Sequence, residues 1–177
     1  RLNMGDEFCF QYAQKIPNAD LNPPMVTVIY NTWYMVQRSR CRLRTDGSFV
    51  SYIMDVDVTG STILHGTGGH GFGRLLDEYV EAGNESLTLP EEERTALDNI
   101  WSQYGMGANV DWRSDATTVK WAHFLKDSRY ANEGLGIYEG SYLYGYGAYR
   151  PTENSMMRNN GPFNAPSREQ IYKRIMH

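Results

Sequence analysis

The sequence has no apolar run approaching the roughly 20 residues that cross a bilayer as a helix, so no membrane span is expected. Cysteine is scarce. Only Cys9 and Cys41 occur in 177 residues, too few for a disulfide scaffold or a thiolate metal site. The pair reads as one disulfide or, equally, as two buried free thiols. Basic charge shows no excess, with 17 Lys and Arg against 21 Asp and Glu. The net charge of -4 and pI of about 5.6 give no reason to expect a nucleic acid or an anionic membrane as partner. Internal repeats, low-complexity tracts and linkers are missing too.

What remains suits one globular domain over residues 1–177 with a sizeable core. Met25-Val-Thr-Val-Ile-Tyr30, β-branched and without a polar break, predicts a buried strand with Asn31-Thr-Trp-Tyr34 as its exit loop. Arg38 to Arg44 reads as a solvated edge strand, or more pointedly as a substrate-facing basic patch. A turn at Thr45–Ser48 and a second strand over 49–58 follow. Thr59-Gly-Ser61 can cap a helix that runs through His65 and resumes over Arg74 to Val80. Pro90 and three acids open a helix that places Leu97, Ile100 and Trp101 on one face. A short helix is expected over Ser114–Leu125, and a Tyr- and Gly-rich hairpin over Ile137–Tyr149. Ser167-Arg-Glu-Gln170 fits a capping box for a final helix. The fold class is α+β, a small mixed sheet packed with helices. The bare start at Arg1 reads as a processed or trimmed fragment.

The chemistry concentrates in His65-Gly-Thr-Gly-Gly-His70-Gly-Phe-Gly-Arg-Leu-Leu-Asp77-Glu78-Tyr79. Two imidazoles followed by carboxylates make a donor set for a transition metal, zinc before others. Their spacing is five, however. On a regular α-helix five steps set side chains about 140° apart, against about 40° for four. Both rings reach one ion only if a residue is looped out, as in a π-bulge. Gly68 and Gly69 supply the slack, since glycine in a helix costs about 1 kcal/mol relative to alanine and permits close backbone approach. A third ligand should come from Asp77 or Glu78. A turn at Gly71 or Gly73 swings Asp77 back to the metal, whereas a continuing helix leaves Glu78 near the histidine face. Asp77 is preferred; either acid has the alternative of orienting a histidine or pairing with an arginine.

These residues resemble a family. H-x-x-G-G-H-G-F-G-x-L-x-D-E-Y is followed by Tyr138-Glu-Gly-Ser141, Tyr149-Arg-Pro-Thr152, Asn154-Ser-Met-Met-Arg158 and Phe163-Asn-Ala-Pro-Ser-Arg168. The set is similar to the IgA-peptidase family of secreted zinc metallopeptidases, particularly forms from gut Bacteroidetes. The resemblance implies a metzincin-like catalytic domain, a domain preceding it, and a secreted, periplasmic or cell-surface setting. It implies zinc on His65, His70 and an acidic ligand, a peptide or protein substrate, and a turn beneath the metal at Met156 or Met157. Without it, the two methionines read as core filler. Glu139 and Tyr149 become candidates for lining a cleft. His123 reads as a hydrogen-bonded structural histidine.

One position departs from the family. Its H-E-x-x-G-H pattern places a glutamate where this chain has Gly66. A metal-activated water needs a base to take its proton, and loss of that help typically costs about 10²–10⁴ in rate. The expectation is a zinc-binding chain with impaired peptide hydrolysis, and three explanations compete: an inactive relative that keeps the metal or peptide cleft, an engineered substitution, or rescue by another carboxylate such as Glu78 or Glu139. A rival from another class is a dinucleotide-binding turn through Gly66, Gly68 and Gly71, which match G-x-G-x-x-G. It leaves His65, Asp77 and Glu78 without a role.

Overall fold

A computed structural model describes residues 5–18, 24–30, 39–54 and 60–176. The fold is mixed α+β, with two compact units at residues 1–72 and 73–177. The expected exit loop at 31–34, the 55–58 end of the second strand and the Thr59 cap lie outside the described residues.

In the first unit β3 (Phe49–Met54) is the centre of a three-stranded sheet. It pairs in parallel with β1 (Met25–Tyr30) and antiparallel with β2 (Arg40–Leu43). Strand alternation then sorts the side chains onto two faces. Val26, Val28, Tyr30, Val50 and Tyr52 pack with Phe10 and Cys9 of α1 (Gly5–Ala13). Arg42 and Arg44 reach the same helix through Asp6 at 3.2 Å and Glu7 at 2.7 Å, so these two of the segment's arginines are paired within the fold, while Arg38 lies outside the described residues. Met25, Thr27, Cys41, Phe49 and Ile53 face the other way. Against them lies the helical stretch α2 (Gly60–Ile63) and the π-helix Leu64–Phe72 that continues it. β1 is not the buried strand that its apolar run predicts. As an edge strand it alternates, with Met25 and Ile29 41% and 53% exposed. Cys9 and Cys41 are both free thiols.

The second unit is built on the hairpin of β4 (Tyr138–Ser141) and β5 (Tyr144–Arg150), as the Tyr- and Gly-rich pattern predicts. Its turn is unusual in composition. Tyr142 and Leu143 both have positive φ, 49° and 71°, where glycine or asparagine would be unstrained. The turn is bracketed by bonds from the Tyr142 amide to the Asp77 carbonyl and from the Leu143 amide to the Tyr79 carbonyl, each 3.0 Å. These offset the local strain.

Around the hairpin lie α3 (Glu91–Tyr104), α4 (Ala122–Leu125), α5 (Met156–Asn159) and α6 (Ala165–Met176). Val119, Trp121, Phe124 and Ala165 form a core cluster joined by Leu135, Ile137 and Tyr149. Three expectations are corrected here. Residues 74–80 are not helical, because the chain leaves the π-helix and turns at Arg74, φ 50°. The helix expected over Ser114–Leu125 is confined to α4, since the Asp115 carboxylate accepts the Thr117 amide at 2.6 Å and draws the start of the segment into turns. The final helix begins earlier than its supposed cap. Asn164 accepts from the Ser167 amide and hydroxyl, while Gln170 reaches away to the Gly105 carbonyl at 2.8 Å. Leu97 is buried in α3 as expected, but Trp101 is 38% exposed beneath the Lys120 ammonium.

Candidate metal centre

The five-residue histidine spacing is answered by a whole π-helix, where a single bulge is the expectation. Its i→i+5 bonding makes residues five apart successive neighbours on one face. Two such pairs occur side by side. His65 and His70 form one, with ring centroids 4.9 Å apart and planes at 73°. Gly66 and Gly71 form the other and are buried against the sheet. A Cβ at Gly71 would sit 2.8 Å from Met25 Sδ and 3.3 Å from a Phe49 ring carbon, and one at Gly66 3.3 Å from Cys41 Sγ. The glycines thus let the coil press on the strands, and that contact holds a conformation that propensity alone would not. A Thr67–Thr27 hydroxyl bond of 3.0 Å adds to it, and the Cys41 thiol donates to the Gly66 carbonyl at 3.4 Å.

His65, His70 and Asp77 each offer one ligand atom, and the three atoms lie within 4.8 Å of one another. All three side chains are partly exposed. An ion about 2.1 Å from each donor needs those atoms somewhat closer than this. Two imidazoles and one carboxylate suit zinc in donor type, and three protein ligands leave a coordination position open. Among the described residues this is the one such group of three.

Glu78 has a different place. It is fully buried, with its carboxylate accepting from Asn109 Nδ2 at 2.8 Å, Ser155 Oγ at 2.7 Å and Asn164 Nδ2 at 3.0 Å. Burial pushes its pKa above the usual glutamate range, against the pull of these donors and of the Arg150 charge. The two neighbouring acids thus have different surroundings: Asp77 is partly exposed and Glu78 is buried among polar side chains of the second unit. Asn109 was missed by sequence reasoning. It sits in the glycine-flanked loop before Asp111 as one polar residue among several, with no local pattern to distinguish it.

Glu139, Tyr149, Met156, Met157 and His123 fall within the second unit. Glu139 accepts from the Tyr149 hydroxyl at 3.3 Å and the Gly147 amide at 3.0 Å, so these two cleft candidates are hydrogen-bonded to each other across the hairpin. Met156 and Met157 are buried at the start of α5, and the Met157 carbonyl accepts the Glu78 amide at 2.8 Å. His123 bonds Glu169 at 3.3 Å, the structural role expected of it. Gly66, Gly68 and Gly71 stand inside the π-helix rather than at a strand-to-helix turn, the context a phosphate cradle requires.

No protein-family model matches this chain, and comparison with curated proteins finds no match. The likeness to IgA peptidases rests on the residues of the motif set.

Proposed function

We propose that this chain is a zinc-binding protein of the metallopeptidase type, with His65, His70 and Asp77 as ligands and with peptide hydrolysis impaired by Gly66. The observation behind the reading is the π-helix, which removes the geometric objection to histidines five apart. A bound zinc supplies a Lewis acid that polarises a peptide carbonyl and activates water. The chain's own part is to orient two imidazoles and one carboxylate and to leave one position open.

At position 66 it has no group to hold a proton. Glu78 does not substitute, because its oxygens are engaged by three buried side chains. That favours the impaired or inactive readings over rescue by this acid. By the motif resemblance the protein is a secreted, periplasmic or cell-surface member of the IgA-peptidase family with a metzincin-like fold, and the Met156–Met157 turn belongs beneath the metal. A protein or glycoprotein chain is its substrate class.

Zinc titration followed by elemental analysis tests the metal. One equivalent is expected for the chain as it stands, and none at the same free zinc for His65→Ala or His70→Ala. Cleavage of casein by the same preparations tests turnover. Zinc-independent behaviour, or hydrolysis as fast as that of a Gly66→Glu variant, would sink the reading.

A further inference from the structure

Adjacent acids in the second unit have opposite surroundings. Asp77 is partly exposed, whereas Glu78 has no exposure at all. Among the described residues no cation lies within ion-pair distance of the Glu78 carboxylate. A buried charge without a direct partner is costly unless hydrogen bonds fill its lone pairs. Here they come from three separate segments, the loop before Asp111, the turn before α5 and the turn before α6, through Asn109, Ser155 and Asn164. A leucine would fill that volume without the desolvation cost. The polar alternative fixes orientation, and the bonds around it show of what.

Asn109 bonds Glu78 and at the same time clamps the preceding peptide, accepting the Leu76 amide at 3.0 Å and donating to the Leu76 carbonyl at 2.8 Å. The Asp77 carbonyl accepts the Tyr142 amide at 3.0 Å, and the Glu78 amide donates to the Met157 carbonyl at 2.8 Å. Both peptide planes flanking the Asp77 side chain are thereby held. We infer that Glu78 is a positioning residue: with Asn109, Ser155 and Asn164 it anchors the backbone that presents Asp77 as a cation ligand. The inference rests on Asp77 being such a ligand, as proposed above.

Glu78→Gln keeps the shape but puts an amide nitrogen, itself a donor, opposite the Asn164 amide. Adding Asn164→Asp turns that partner into an acceptor and restores complementarity. Zinc affinity is read by competition with a chromophoric chelator at a temperature where circular dichroism shows each protein folded. Glu78→Gln is expected to bind zinc about 10–100-fold more weakly, and the Glu78→Gln/Asn164→Asp pair to recover most of the loss. A purely structural role would lower the unfolding midpoint yet leave the affinity of the folded protein unchanged, and that result overturns the inference alone. Should Glu78→Gln not fold, Ser155→Ala removes one 2.7 Å donor and takes its place: a loss of about tenfold is expected, and unchanged affinity overturns the inference. If the parent chain binds no zinc, the proposed function fails first and this inference falls with it.

Discussion

The π-helix and the segment Leu76–Tyr79 solve one problem by opposite means. Each must hold a short, irregular piece of backbone in place. The π-helix does so with glycines, by letting its peptide chain approach Met25, Phe49 and Cys41 so closely that a Cβ would have to displace them. Leu76–Tyr79 does so with side chains, through Asn109, Glu78, Ser155 and Asn164. Close packing is sensitive to added volume, and a polar network is sensitive to a removed atom. Substitutions that are mild in one region should therefore be severe in the other.

The largest expected effect joins chemistry to that packing. Gly66→Glu supplies the missing base, worth about 10²–10⁴ in rate, but its Cβ enters at 3.3 Å from Cys41 Sγ. Casein hydrolysis by Gly66→Glu should rise further when Cys41→Ala makes room. Equal rates for the single and double variants would show that the thiol yields freely. In the polar region the severe change is a deletion. Glu78→Ala leaves three buried donors without an acceptor and is expected to cost about 3 kcal/mol or more, measured by urea unfolding. A loss under 1 kcal/mol would mean that water fills the gap.

How much of this was legible in the sequence follows the same division. The hairpin, β1, β3 and α3 show local signals of alternation, turns and acidic helix starts. The histidine pair is legible because its spacing fits no α-helix, which forces the question of a wider coil. The end of that coil at Arg74 is hidden. Leu75, Leu76 and Val80 have helical spacing, and long-range bonds from Asn109, the 142–143 turn and Met157 override it. Burial of β1 was overestimated because an apolar run says nothing about position in the sheet. Glu78 and Asn109 are partners over more than thirty residues, and no local pattern joins such a pair.

A second ionisable group, the half-buried Lys120, tests how the second unit tolerates a charge drawn away from water. The Lys120 ammonium donates to the Gly107 and Val110 carbonyls at 3.0 Å and 2.8 Å. Burial lowers its pKa from 10.5 to about 8, although Asp111 and Asp98 pull the other way. Below pH 8 the folded state bears the full cost of the buried charge. Between pH 8 and 10.5 the folded form has released the proton that the unfolded chain still binds, so stability rises with pH. Relative to Lys120→Met, the parent should gain up to roughly 3 kcal/mol over that interval. Urea midpoints of the two proteins that run parallel from pH 7 to 10.5 would contradict it.

The smallest effect separates glycines that pack from glycines that merely loosen. Gly71 and Gly68 share the π-helix, and neither requires a left-handed backbone. Alanine at Gly71 forces Met25 Sδ from 2.8 Å and crowds Phe49 at 3.3 Å. Met25 is partly exposed and its thioether is flexible, so the cost should lie near the low end for overpacking, about 1 kcal/mol. Alanine at Gly68 meets only Leu64 at 3.9 Å, an ordinary contact, and should stabilise by roughly 0.5–1 kcal/mol through the restricted unfolded chain. Opposite signs in the two unfolding midpoints would establish that the sheet, rather than glycine content as such, shapes this coil. A gain in both would mean that the helix stands off from Met25 and Phe49 in solution. Zinc affinity sharpens the result: Gly68→Ala leaves the His65–His70 face in place, whereas Gly71→Ala displaces the coil beside His70 and should weaken binding along with stability.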